Sequence, residues 1–404
     1  MIAVAVFVTC YVGLFLGRLP GLRVDRTGIA LLGAIALVAS GTVSEAQAVQ
    51  AVDVPTVVLL FALMVVSAQL RVGGFYTRVA RRLAAVEAGP AVLLGLVVVT
   101  MGGLAAVFSN DIVCLAAAPV LIEACRHRGL RPLPFLLGLA CAANVGSAMT
   151  VIGNPQNMLI GQTLHLSFGG YLRAAWLPAT LGLLATWGVI AWQFRHRWHD
   201  GETDGGGQPL PVPPPFNRWE SGKGLAVAVA LLAAFLLAPW PRELCALAGA
   251  ALILTSRRRG SRDMLGLVDW QLLVLFIGLF VINDAFQATG WPARLVVAAA
   301  ARGIDLAHPA GLFAGVVVLS NAVSNVPAVM LFLPLATHPQ AGPLLAIGST
   351  LAGNLFLVGS IANLIVADLA RRHGVALDWR SHARTGVPVT LVTLAVAATV
   401  LACE

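Results

Sequence analysis

The chain has 404 residues, of which 58% are hydrophobic and 11% charged. Soluble globular domains carry about 25% charged residues, so this balance excludes a soluble fold. The formal net charge of +8 does not mark a nucleic-acid binder, because the arginines stand in short clusters between apolar runs, the pattern that sets membrane topology.

Apolar runs approaching the roughly 20 residues needed to cross a bilayer recur along the whole sequence, so a single polytopic integral domain is expected. Cys10, Cys114, Cys125, Cys141, Cys245 and Cys403 show no CxxC spacing. They read as small buried hydrophobes, neither a disulfide framework nor a thiolate metal site. The opening MIAVAVFVTCYVGLFLGR lacks a basic leader region and a small-residue cleavage site, and reads as the first span.

In chain order the expected spans are 1–17, 27–43 and 54–71, then a long segment 90–125 with polar residues at its middle, a broken helix 133–164, and 172–194. Residues 195–222, containing HDGETDGGGQPLPVPPPFN, read as a cytoplasmic linker. A second set follows: 223–239, 242–256, 268–287, a polar-centred segment 309–336, a broken helix 341–372, and 386–402. Segments 90–125 and 309–336 are each read as a re-entrant hairpin.

Three anchors reveal a repeat. VDVPTVVLLFALMVVSAQLRVGG from Val52 aligns with VDWQLLVLFIGLFVINDAFQATG from Val268, closing on Gly74 and Gly290 at the same offset of 216. SNDIVCLAAAP from Ser109 aligns with SNVPAVMLFLP from Ser324 at 215, and GNPQNMLI from Gly153 with GSIANLIV from Gly359 at 206. Five crossings per copy, an odd number, turn the second copy upside down. The expected fold is an all-α inverted repeat, 1–194 against 223–404, each copy with five spans, one of them broken, and one hairpin.

With each hairpin entering and leaving on one face, 22 of the 26 lysines and arginines fall on one side, leaving Arg173, Arg242, Arg294 and Arg302 opposite. The positive-inside rule makes the crowded side cytoplasmic and puts both termini outside the cytoplasmic (inner) membrane.

Non-helical backbone at membrane depth survives only where it lines protein or a watered cavity, so tips and breaks are expected to face one another. Ser109, Asn154, Ser324 and Ser360 stand at the starts of four half-helices and suit N-caps, with Pro155 at the first helical position of its segment. Inward helix N-termini offer N–H donors to an anion, and the preceding carbonyl ends suit sodium or a proton carrier. Residues 90–123, 134–172 and 310–370 hold no lysine or arginine, so dipoles and amides alone are expected to bind an anionic substrate.

An acid inside a membrane segment is functional by default. Asp111, whose repeat partner is Val326, is the leading coupling-ion or proton site, the alternative being a carboxylate that steadies its helix start. Asp284, opposite Ala68 in the repeat, is the second coupling candidate, the alternative being an interfacial charge. Glu123 and Asp368 read as surface charges beside basic loops, and Asp53 and Asp269 as helix caps. Asn144, Asn157, Asn354 and Asn363 lie on or beside the breaks, where an unpaired amide is costly, so each must bond substrate or exposed backbone. Cys114 and Cys141 read as packing near the site, and His165 as a loop residue.

The strings SND, ANVGSAMTVIGNPQN, SNVPAVMLFLP and GSTLAGNLFLVGSIANLIV resemble the ion transporter superfamily of arsenite permeases, related sodium/proton antiporters, citrate-transporter-like permeases and dicarboxylate/sodium symporters. The resemblance runs from about Asp53 onward. It implies an elevator-type secondary transporter, often a homodimer, whose tips and breaks hold substrate and cation. Carried onto this sequence, it selects Ser109, Asn110, Asp111, Asn154, Asn157, Ser324, Asn325, Ser360 and Asn363, with a sodium ion near Asn110, Asp111 and Asn157. The dicarboxylate symporters carry Ser-Asn-Thr in both hairpins. Asp111 and Val326 stand at the third positions here, which weakens a two-sodium mechanism and favours a proton or a single cation.

The expected function is ion-coupled transport of a small inorganic or organic anion or oxyanion across the bilayer, with Na+ or H+ as coupling ion and no other cofactor. The alternative is a sodium/proton antiporter using Asp111 and Asp284; a channel would need a continuous pore. No HExxH, paired catalytic acids or Ser/His arrangement stands inside the spans, so an enzyme is not expected.

Overall fold

The computed structural model describes residues 1–17, 21–199, 216–256 and 260–403. The centre of the expected linker, 200–215, lies outside the described residues, as do Arg18, Arg257, Arg258 and Arg259 of the basic clusters.

Among the described residues the helices fall into two sets of ten. The first is α1 (Ile2–Leu16), α2 (Arg26–Ala39), α3 (Glu45–Ala51), α4 (Val54–Val72), α5 (Phe75–Ala84), α6 (Pro90–Val107), α7 (Asn110–His127), α8 (Pro132–Ser147), α9 (Pro155–Thr163) and α10 (Phe168–Phe194). The second is α11 (Arg218–Leu237), α12 (Arg242–Leu254), α13 (Ser261–Leu265), α14 (Trp270–Gln287), α15 (Trp291–Ala300), α16 (Pro309–Val323), α17 (Asn325–Phe332), α18 (Ala341–Ala352), α19 (Ile361–Arg372) and α20 (Trp379–Cys403). Each helix of the first set has its counterpart ten places later.

The same local chemistry builds both sets. Asp53 accepts from the Thr56 N–H and Asp269 from the Leu272 N–H, each at 3.0 Å, so both acids cap their helices as expected. Gly74 and Gly290 share φ 71°, a left-handed conformation that penalises a Cβ, and turn the chain from α4 into α5 and from α14 into α15. Pro90 and Pro309 open α6 and α16, where a missing N–H is harmless.

Some boundaries differ from expectation. The last residues of the expected linker are helical: α11 begins at Arg218, capped by Asn217, whose Oδ1 accepts from the N–H groups of Trp219 and Glu220. A glycine pair, Gly169 and Gly170, hides the start of α10, and a polar first turn that of α20. The four short helices α3, α5, α13 and α15 were not expected. In α5 the pattern was masked by its arginines: Arg78, Arg81 and Arg82 share ten residues with buried Tyr76, Thr77, Ala80 and Leu83, the amphipathic period of an interfacial helix.

Helices α4, α6, α10, α11, α14 and α20 are long and apolar enough to cross a membrane. The halves interlock, α2 lying along α14 and α12 along α4. Hairpins and broken helices form a second group, flanked by α10 and α20, which pack on each other. A Cβ at Gly146 of α8 would collide with the Gly102 carbonyl of α6; in apolar surroundings such small residues let backbones approach and gain dispersion contacts.

The arms of the first hairpin return to one place. Arg128, just after α7, donates to the carbonyls of Val86 at 2.9 Å and Ala88 at 2.8 Å, just before α6. Nearby joins include the Asn217 N–H to the Gly73 carbonyl at 2.9 Å, the Arg131 N–H to the Trp198 carbonyl at 2.8 Å, and Arg126 to the His373 carbonyl. Loops rich in arginine thus gather on one face. At the other end of the spans, Arg242 donates to the Gly161 carbonyl at 2.6 Å and Gln162 to Glu243 at 2.9 Å.

Candidate functional site

The two breaks are joined by a crossed amide network. Asn144 of α8 accepts through Oδ1 from Asn110 Nδ2 at 3.1 Å and Ser360 Oγ at 2.8 Å, and donates through Nδ2 to Asn354 Oδ1 at 2.8 Å and Asn363 Oδ1 at 3.1 Å. Its counterpart at the 206 offset is Thr350 of α18. The Thr350 hydroxyl accepts from Asn154 Nδ2 at 3.1 Å and Gln156 Nε2 at 3.2 Å, and donates to Asn157 Oδ1 at 3.3 Å. Asn154 and Asn157 are themselves the counterparts of Ser360 and Asn363. Each N-terminal half-helix therefore grips the C-terminal half-helix of the other repeat. All these side chains are buried, and unpaired they would each cost several kcal/mol in hydrocarbon, so the crossing ties one break to the other.

The remaining amides hold the broken backbone. Asn157 Nδ2 reaches the carbonyls of Ser147 at 3.2 Å and Thr150 at 2.9 Å. In the second break Asn363 Nδ2 reaches the Gly353 carbonyl at 2.8 Å, and Asn354 Nδ2 the Cys141 carbonyl at 3.3 Å. Of the four expected caps, Asn154 makes the bond, accepting from the Asn157 N–H at 2.9 Å. Ser109, Ser324 and Ser360 occupy N-cap positions without a side-chain cap bond. The Ser360 hydroxyl is spent on Asn144 instead. Ser324, at φ 80° and ψ 160°, is outside the extended conformation a capping serine adopts and in a region otherwise left to glycine.

Tips and breaks border a partly open cavity of about 60 Å³ lined by Asn110, Asp111, Asn154, Gln156, Ser324, Asn325, Ser360 and Arg26. One water needs about 10–15 Å³ of such space, so the cavity admits only a few heavy atoms. Its polar groups are of two kinds. Asn110 Oδ1 and Asn325 Oδ1, repeat counterparts at the hairpin tips, are buried acceptors with no partner. Asp111, in the first turn of α7, makes no hydrogen bond or ion pair with any described residue. These oxygens suit a hard cation, whereas Arg26 and the starts of α9, α17 and α19 suit an anion.

Ser109 lines a separate apolar cavity beside α4 and α11. Asn144, Asn157, Asn354 and Asn363 stand behind the main cavity with their amides committed to protein. Asn157, expected beside a sodium ion at Asn110 and Asp111, does not line that cavity; its Nδ2 holds backbone and its Oδ1 accepts from Thr350 at 3.3 Å. Asp284 is not brought to the site either. Asn283 beside it faces inward and accepts from the Tyr11 hydroxyl at 2.8 Å, and with 3.6 residues per helical turn the next residue points out, leaving Asp284 exposed. Glu123 lies 3.9 Å from His127, and Asp368 pairs with Arg371 at 2.6 Å and Arg372 at 2.7 Å, surface charges as expected.

Sequence reasoning missed Arg26, Gln156 and Thr350. Gln156 and Thr350 carried a signal, being polar side chains inside broken apolar segments. Arg26 carried none: it follows Arg18 and Arg23 in one basic loop, and only the fold turns it inward. The expected arginine-free centre is thereby corrected.

Fold and site together define a multi-pass membrane transporter built from two matched halves. The chain belongs to the CitMHS citrate transporter family, which it matches over residues 11–344. It is 30% identical to the silicon efflux transporter LSI3 of Oryza sativa subsp. japonica, covering 93% of this chain and 92% of that one. An uncharacterized transporter of Mycobacterium tuberculosis is 29% identical over 99% of this chain and 98% of its own. A Dictyostelium discoideum transporter named arsB is 22% identical over 92% of this chain and 86% of its own. The solved YdaH transporter of Alcanivorax borkumensis shares the fold, with a TM-score of 0.60 at 15% identity over 100% of this chain and 98% of that one. Family and named relatives are transporters, not enzymes.

Proposed function

We propose that the chain is an ion-coupled secondary transporter of a small inorganic oxyanion or hydroxide, with a cation held at the first hairpin tip. The observation that carries this reading is the cavity of about 60 Å³ where unpartnered Asn110 Oδ1, Asn325 Oδ1 and Asp111 meet Arg26. Its size favours a solute of a few heavy atoms over a tricarboxylate, and the relative named for silicon efflux agrees with that size. The interlocked α1, α2, α4, α11, α12 and α14 would serve as scaffold, and the hairpins and broken helices with α10 and α20 as the moving body of an elevator. The arginine-rich face would be cytoplasmic, with both termini outside the inner membrane. A homodimer follows from the resemblance alone.

The test is uptake into proteoliposomes of arsenite, silicate and citrate in turn, with and without sodium and proton gradients. Gradient-driven flux of arsenite or silicate is expected, and flux of citrate alone would overturn the size argument. The bare Asp111 carboxylate also supports a second reading, sodium/proton antiport. A sodium jump that moves internal pH with no added anion would establish that reading and remove the first.

A further inference from the structure

We propose that His382 is a proton-binding site that makes the second break, and through it the hairpin tips, sensitive to pH; its use in transport rests on the reading above. The first turns of α10 and α20 do the same mechanical job. In the first half the Tyr171 hydroxyl donates to the Ala148 carbonyl at 2.7 Å, and in the second His382 Nε2 meets the Asn354 carbonyl at 3.0 Å. Ala148 and Asn354 are counterparts at the same 206 offset that pairs Gly153 with Gly359. Holding such a carbonyl needs one donor, and Tyr171 is complete, since its oxygen also accepts from Asn157 Nδ2 at 3.2 Å.

His382 is not complete. It is 1% exposed, and its Nδ1 has no partner. A carbonyl only accepts, so Nε2 carries the hydrogen and Nδ1 the lone pair. A second proton on Nδ1 would make a buried cation with nothing to receive its N–H. No countercharge faces it. Of the elements packed on α20, α8 has Cys141 as its only ionisable group and α18 has none, as is true of the 3-10 turn Leu357–Gly359. In α10 the ionisable groups are Tyr171 and Arg173, at the far end from Gln193, which meets Thr385 at 2.8 Å. At the start of α20 Arg380 and Arg384 are exposed, as is Asp378, whose Oδ1 accepts from the Ser381 N–H at 2.8 Å, and Arg195, His196 and Arg197 just after α10 are exposed too.

The helix that carries the imidazole lies tight on the break. One turn on, a Cβ at Gly386 would collide with the Asn354 carbonyl, so α20 is pressed against the break. Protonation therefore favours conformations in which the break has moved and Nδ1 reaches water or an acceptor, a population shift set by differential proton affinity. The displacement has a route to the tips: Asn354 Oδ1 is held by Asn144 at 2.8 Å, and Asn144 holds Asn110 at 3.1 Å.

Hydrogen exchange of the full-length protein tests this with a control inside the molecule. The ratio of exchange in 353–360 to that in 148–154 cancels the intrinsic pH dependence. It is expected to rise about tenfold or more between about pH 8 and 5.5 in the native protein, the range in which histidine titrates. His382→Gln keeps a donor without titrating, and should hold the ratio constant within about twofold; Tyr171→Phe should leave the native pH response in place. A ratio that ignores pH in the native protein overturns the proposal, as does a response that survives in H382Q. If native vesicles show no gradient-driven uptake, the transport reading fails while the exchange ratio still decides His382. Uptake whose pH profile is the same in native protein and H382Q would deny the histidine its role in transport.

Discussion

The first and second halves share a backbone plan and differ in chemistry. Both have a hairpin, a broken helix and an α10 or α20 pressing on the break. Yet Asp111 stands against Val326, Asn144 against Thr350, Gln156 against Ala362, and Tyr171 against His382. Shared backbone explains why the halves interlock: every broken segment must find partners in hydrocarbon, and the matched break of the other repeat supplies them. On the readings proposed above, these unequal side chains serve different ligands, a cation at the first tip and a proton beside the second break. Repeat symmetry builds the centre of the protein, and the departures from it are where the readings proposed above place its selectivity.

The largest expected effect removes the most conspicuous departure. Asp111→Asn should reduce gradient-driven uptake by about 100-fold or more, as expected for an intramembrane coupling acid, with thermal unfolding little changed because the carboxylate bonds to no described residue. Native uptake in that variant would remove Asp111 from the mechanism. Next comes the network. Asn144→Ala strands Asn110, Ser360, Asn354 and Asn363, and should cost about 3–5 kcal/mol in detergent unfolding. Thr350→Val strands Gln156 and leaves Asn154 and Asn157 each one bond short while keeping its shape, at about 1–3 kcal/mol. Equal losses would mean that the two hubs, unlike in chemistry, are alike in strength.

Much of the backbone plan was legible because a bilayer makes polar residues conspicuous. GNPQN and GSIAN stood out within apolar runs, and the Val52 and Val268 strings fixed the repeat. The site was less legible, since a polar residue in such a run announces only that it must be bonded, not to what. Asn157 and Asn354 looked like ligands and are spent on protein; Asn110 and Asn325 looked the same and keep a bare oxygen. Asp284 and Asn283 are neighbours in sequence, and helix rotation alone separates inside from outside. Arg26 was hidden because loop arginines normally report topology.

Arg26 tests whether the substrate side of the cavity is as separate from the cation side as the comparison suggests. Arg26→Gln should raise the KM for the oxyanion about tenfold, roughly 1.4 kcal/mol of lost binding, and leave the sodium or proton dependence of uptake in place. A changed ion dependence with unchanged KM would place Arg26 with Asp111 instead.

The smallest effect separates the two kinds of serine at the half-helix starts. Ser360→Ala loses a 2.8 Å hydrogen bond to Asn144 Oδ1 and should cost about 1 kcal/mol. Ser109→Ala removes a hydroxyl that caps nothing and should stay within about 0.5 kcal/mol. Thermal unfolding of the two variants side by side checks the order. If Ser109→Ala proves the costlier, its hydroxyl caps α7 in the working protein, and the first tip is held as tightly as Asn154 holds the first break.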